Sequence, residues 1–91
     1  MPKLKAPEIN KALARVPEWR KTGSAIARTY VFKDFPAAIR FVGKIAELAE
    51  KAWHHPDIDI RWNKVTLTLT THDEGGLTQK DFKLARKFDL A

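Results

Sequence analysis

The apolar residues of this chain change their period several times, and each change marks an element. Ile9, Leu13 and Val16 recur at helical spacing. Pro7 suits a first turn and Pro17 a stop, which predicts a short helix over Pro7–Val16. Residues 19–22 and 25–32 flank Gly23-Ser24. In the longer run Ile26, Arg28, Tyr30 and Phe32 alternate with Ala27, Thr29 and Val31, which predicts two strands joined by a Gly-Ser turn. Asp34 stands at an N-cap position with Pro36 in the first turn of a helix that runs to about Trp53. The face of that helix is expected to comprise Phe35, Ala38, Ile39, Val42, Ile45, Ala46, Ala49 and Trp53, with Phe41, Leu48 and Ala52 as a second flank. So wide a face exceeds what one side of a small sheet can cover, and a second subunit is expected over the flank.

Pro56 ends the helix and biases His55 toward extended backbone. Ile58, Ile60 and Trp62, then Val65, Leu67 and Leu69, alternate as two strands. Taking Asn63-Lys64 as a two-residue hairpin loop pairs Trp62 with Val65, Ile60 with Leu67 and Ile58 with Leu69, with all six on one face. Gly75-Gly76 reads as a loop, and Thr78 followed three residues later by Asp81 as a capping box. The last helix turns Phe82, Ala85 and Phe88 inward. The fold class is α+β: a four-stranded antiparallel sheet with helices packed on one face, ordered helix-strand-strand-helix-strand-strand-helix, in one domain over residues 1–91.

Ninety-one residues leave no room for a second domain, and the absence of cysteine removes disulfides, thiol nucleophiles and thiolate metal sites. Seventeen Lys/Arg against eleven Asp/Glu give +6. The excess looks scattered, without an aromatic RNA-binding motif or a clustered basic helix, so a nucleic-acid partner is not expected. Neither a signal peptide behind Met1 nor a membrane-length apolar run is found, and a cytoplasmic protein is expected.

All three histidines fall between positions 54 and 72. Extending the hairpin register sets His72 opposite His55, and Glu50 lies one helical turn before His54. Imidazoles near a pKa of ~6.5 suit proton transfer at neutral pH. A solvated helix end is the plain alternative, and a three-histidine metal site the sharper one. Against the latter, adjacent histidines project in different directions and no second carboxylate is obvious. Trp53 and Trp62 are read as core, Trp19 as the tryptophan free to stack on a flat ligand, and Asp81 as a capping carboxylate.

Glu50-Lys51-Ala52-Trp53-His54-His55-Pro56 resembles the signature of the pterin-4a-carbinolamine dehydratases, as do Trp62, Thr71-His72-Asp73 and Asp81. Asp34-Phe35-Pro36, Phe41, Gly75-Gly76-Leu77-Thr78 and Trp19 fit the same family, so the resemblance spans roughly Trp19 to Phe88. It implies a hydro-lyase that dehydrates 4a-hydroxytetrahydropterin to quinonoid dihydropterin in tetrahydrobiopterin recycling, with no metal and no organic cofactor. On that resemblance His54 and His72 are the acid/base pair, His55 orients the pterin, and Glu50 tunes the cluster. Trp19, Glu50 and Asp81 are the expected substrate-binding positions. It also implies a homodimer or homotetramer and a functional link to an aromatic amino acid hydroxylase. The alternative is a non-catalytic binding or assembly protein, coactivator-like, on the same fold.

Overall fold

The computed structural model describes residues 2–91; Met1, at which the expectation of no signal peptide starts, lies outside them. Helix α1 (Ala6–Leu13) is followed by strands β1 (Arg20–Thr22) and β2 (Ala25–Val31) and helix α2 (Phe35–Ala52). Strands β3 (Asp57–Arg61) and β4 (Lys64–Leu69), a 3-10 turn (His72–Glu74) and helix α3 (Gln79–Asp89) complete the chain. The strands form one antiparallel sheet, as expected, and their order in it is β1-β2-β4-β3. No helix of the described residues is long and apolar enough to cross a membrane.

Local chemistry accounts for most boundaries. The Asp34 carboxylate accepts the Ala37 N–H at 2.9 Å and starts α2, the N-cap bond that its position predicted. Helix α1 stops at Leu13, before the predicted Val16, because the Val16 and Trp19 amides turn back onto Leu13 and Val16 around Pro17. Val16 remains buried nonetheless. Gly23, at φ +59, supplies the positive φ of the β1–β2 turn, where a Cβ would be strained.

The second hairpin departs from its predicted register. Ile58 pairs with Leu67, Ile60 with Val65 and Arg61 with Lys64, so the loop is Trp62-Asn63. The displacement is two residues along the partner strand, and the strand period of two keeps every isoleucine on its predicted face. Asn63 explains the preference. Its Nδ2 donates to the Phe32 carbonyl at 2.7 Å, and its own carbonyl accepts the Phe32 N–H at 2.9 Å, which fastens the turn to the end of β2. Trp62 takes the positive φ of 51° and projects outward, 68% exposed, rather than entering the core.

The core forms where Val65, Leu67 and Leu69 of β4 and Ile26 of β2 meet Ala38, Ile45 and Ala49 of α2 and Phe82, Ala85 and Phe88 of α3. Burying each leucine is worth about 1.5–3 kcal/mol. Helix α2 is rotated relative to its predicted face. Phe41 is buried, and Leu48 and Ala52 pack against the core, so this flank needs no second subunit to cover it. The residues left outward are Phe35, Ile39 and Trp53, with Ile58 and Ile60 of edge strand β3 also partly open.

Candidate active site

The site is assembled from two helix ends. At the C-terminus of α2, Trp53 adopts the left-handed conformation (φ 51°, ψ 42°), and the His54 amide donates back to the Ala49 carbonyl at 3.1 Å. This is the six-to-one bond of a Schellman motif, and it reverses the chain so that His54 leaves the helix axis. The same turn pushes Trp53 into the open, 74% exposed, against the core role expected of it. At the N-terminus of α3, Thr78 and Asp81 make the predicted capping box: Asp81 Oδ2 accepts the Thr78 N–H at 2.9 Å, and Thr78 Oγ1 accepts the Lys80 N–H at 3.3 Å.

The two ends meet in one hydrogen bond. His54 Nε2 lies 2.6 Å from Asp81 Oδ1, with the carboxylate fully buried and the imidazole nearly so. The predicted Glu50–His54 contact is absent, because the Schellman turn directs His54 to Asp81 instead. Asp81 Oδ2 also accepts the Thr71 hydroxyl at 2.8 Å, and Thr71 Oγ1 lies 2.9 Å from Thr78 Oγ1. Each hydroxyl has one proton. Since Thr71 gives its own to Asp81, Thr78 donates to Thr71, which orients the whole chain of donors toward the carboxylate. Three donors therefore converge on Asp81, and the buried charge is compensated. The proton of neutral His54 is thereby held on Nε2 and the lone pair on Nδ1, which takes part in none of these bonds.

Glu50 instead meets His55, Oε1 to Nε2 at 2.6 Å, with both side chains more than half exposed. The Trp53 ring stands edge-on to His55 at 5.6 Å between centroids. His72 opens the 3-10 turn directly after Thr71 and is exposed. It does not face His55 across a ladder, because β3–β4 pairing ends at Asp57–Thr68. Gly75, at φ +73, closes the turn and returns the chain to Thr71 through the Thr71–Gly76 bridge. In the chain His55 follows His54 directly, and His72 follows the residue that donates to Asp81. Among the described residues no group of three or more His, Asp or Glu side chains is arranged to hold a metal ion.

Trp19 is placed elsewhere. It is 4% exposed, and its indole N–H donates to Asp89 at 2.9 Å, so the ring is part of the core rather than a stacking platform. Asp89 also accepts from Arg28 at 2.9 Å and from the Tyr30 hydroxyl at 2.5 Å. Burial, reinforced by the bond to Asp89, pushes the Tyr30 phenol far above its ordinary range. Sequence reasoning missed this cluster, as it missed the hydroxyl relay from Thr78 and Thr71. The capping-box spacing was the available signal for Oδ2 of Asp81, but nothing in it indicated the histidine on Oδ1. A hollow of about 120 Å³ beside His54 is rimmed by Lys80, Lys83 and Lys87 of α3, an arrangement also not anticipated.

The chain as a whole matches a recognisable class. Residues 2–91 match the family model described as pterin 4 alpha carbinolamine dehydratase, and the chain belongs to that family. A Chloroflexus aurantiacus protein with the provisional name pterin-4-alpha-carbinolamine dehydratase is 56% identical over 89 residues, covering 98% of this chain and 96% of that one. The crystal structure of a transcriptional coactivator/pterin dehydratase from Brucella melitensis superposes with a TM-score of 0.93 at 41% identity, covering 97% of this chain and 96% of that chain. A pterin dehydratase-like protein identified as a RuBisCO assembly factor in the alpha-carboxysome shares the fold, with a TM-score of 0.70 at 22% identity, over 80% of this chain and 87% of that chain.

Proposed function

We propose that this protein is a 4a-hydroxytetrahydropterin dehydratase working by histidine acid/base catalysis. The buried His54–Asp81 bond carries the reading, because it leaves Nδ1 of His54 as a positioned proton acceptor. In the reaction the C4a–O bond breaks, the N5 lone pair forms the C4a=N5 bond, and the N5 proton departs. The hydroxyl leaves as water once it has received a proton. His54 Nδ1 takes the N5 proton, and Asp81 stabilises the imidazolium that results. His72, which has no carboxylate partner among the described residues, delivers the proton to the leaving oxygen and regains it from solvent. His55, held by Glu50, orients the pterin.

The proposal includes turnover without an added metal or organic cofactor, a cytoplasmic location, and service to an aromatic amino acid hydroxylase through tetrahydrobiopterin. It also includes a homodimer or homotetramer closing over Phe35 and Ile39 of α2 and the β3 edge at Ile58 and Ile60, which light scattering across protein concentration tests. The deciding experiment supplies chemically generated 4a-hydroxytetrahydropterin in the presence of a chelator and follows formation of the quinonoid product. Acceleration above the spontaneous rate, lost in His54→Ala and His72→Ala, supports the reading. Activity restored only by added zinc, or no acceleration at all, would replace it with the metal or the binding-protein reading.

A further inference from the structure

Trp53 is a residue that the fold does not explain. It ends α2 at φ 51°, in the left-handed region where a bulky side chain is strained and where glycine or asparagine usually closes a helix. Its ring is 74% exposed, so the indole gains little from burial to set against that strain. Glycine or asparagine would satisfy the same turn without either cost. An outlying backbone and an open aromatic side chain that occur together at a candidate site point to a role outside the fold.

Trp62 shares both features at the other end of β3, and what distinguishes Trp53 is its surroundings. Trp53 directly precedes His54 and His55. Its ring stands beside the His55 imidazole, 5.6 Å between centroids and 73° between planes, a favourable edge-to-face geometry. His55 is in turn held by Glu50 at 2.6 Å, so the indole is braced against an anchored ring. That contact leaves most of the indole bare, and a flat bicyclic heterocycle laid on it lies alongside His55. Trp19, the tryptophan expected to stack, is closed off in the core.

We propose that Trp53 is the stacking platform for the pterin ring, a substrate-binding residue that fixes which face of the ring meets the histidines. The inference rests on the pterin reading of the same site. The hydroxyl leaves C4a from one face of the ring, so a stacking side chain can cover only the opposite face. Trp53 takes that opposite face, and His55 meets the edge of the ring. Stacking on an indole tolerates differences in ring substituents, so the contact selects a flat bicyclic ring rather than a particular side chain on it.

The test compares three variants of the full chain. Trp53→Asn keeps a residue that tolerates left-handed backbone but removes the ring, and Trp53→Tyr keeps an aromatic face. Trp62→Asn is the control at an equally left-handed, open position. Each protein is titrated with biopterin, a stable flat pterin that cannot be dehydrated, while the indole N–H resonances are followed. KM and kcat are measured with 4a-hydroxytetrahydropterin. In the wild type the Trp53 resonance should shift saturably while that of Trp19 stays in place. Trp53→Asn should lose biopterin affinity by about 5- to 150-fold, the range of one ring stacked on an aromatic side chain, and raise KM far more than it lowers kcat. Trp53→Tyr should keep most of the affinity and Trp62→Asn all of it. Trp53→Asn should also melt at or above the wild-type temperature, because it relieves the strain; weaker binding without lost stability is what a purely structural role would not produce. Wild-type affinity and KM in Trp53→Asn, or an equal loss in Trp62→Asn, would overturn the stacking role while leaving the dehydratase reading intact. Loss of a subunit from Trp53→Asn in light scattering would overturn it by assigning the indole to a second copy of the chain. A wild type that neither binds biopterin nor accelerates dehydration would overturn the pterin reading, and this inference with it.

Discussion

Replacing Asp81 with Asn separates the two roles that the structure gives this carboxylate. Wild-type Asp81 accepts from Thr78 N–H, Thr71 hydroxyl and His54 Nε2–H. In Asp81→Asn the amide oxygen can keep the two threonine bonds, which places the amide NH2 against His54. Two donors cannot share a hydrogen bond, so the imidazole must move its proton to Nδ1 and accept at Nε2. The fold should lose about 1–2 kcal/mol, because a neutral bond replaces a charge-assisted one of roughly twice the strength. Turnover should fall about 10²–10⁴-fold, because Nδ1, the nitrogen proposed as the base, has become a donor. Asp81→Ala instead leaves buried donors unpaired, at a cost of about 3–5 kcal/mol, a large part of the about 5–15 kcal/mol that holds a domain together. Denaturant unfolding, initial rates above the spontaneous dehydration and the ring nitrogen shifts of His54 give three independent readouts. A folded Asp81→Asn protein with near wild-type turnover, or one in which His54 still carries its proton on Nε2, refutes the assignment of Nδ1 as base.

Trp62→Gly removes a bulky residue from a φ of 51°, and should raise stability by about 1 kcal/mol in thermal melts at unchanged oligomer size. Leu67→Ala, at a position with no exposure, should cost about 2–5 kcal/mol by denaturant titration, through lost transfer energy and the cavity left behind. The Tyr30 phenol is raised in the folded state, so its contribution is complete below the unfolded value of 10.0 and declines as pH rises above it. Wild-type stability should therefore fall above pH ~10 by up to about 1.4 kcal/mol per unit more steeply than that of Tyr30→Phe. Parallel alkaline curves for the two proteins would show that the phenol does not sense folding.

What could be read from the chain alone was whatever depends on neighbours within a few positions. Asp34 and the Thr78-to-Asp81 spacing mark where their helices start because capping acts within one turn. Strand alternation placed Ile58, Ile60, Val65 and Leu67 on their face even though the register was displaced, since a shift of two preserves facing. The tryptophans were assigned in reverse: Trp19 is core, whereas Trp53 and Trp62 are open. Helix and strand periods hold only while the backbone stays regular, and both open tryptophans sit where it turns left-handed. The three histidines and Asp81 were visible as residue types, but their pairing was not. Asp81 lies 27 positions from His54, and only the packing of α3 against α2 brings the capping carboxylate of one helix under the histidine that leaves the other.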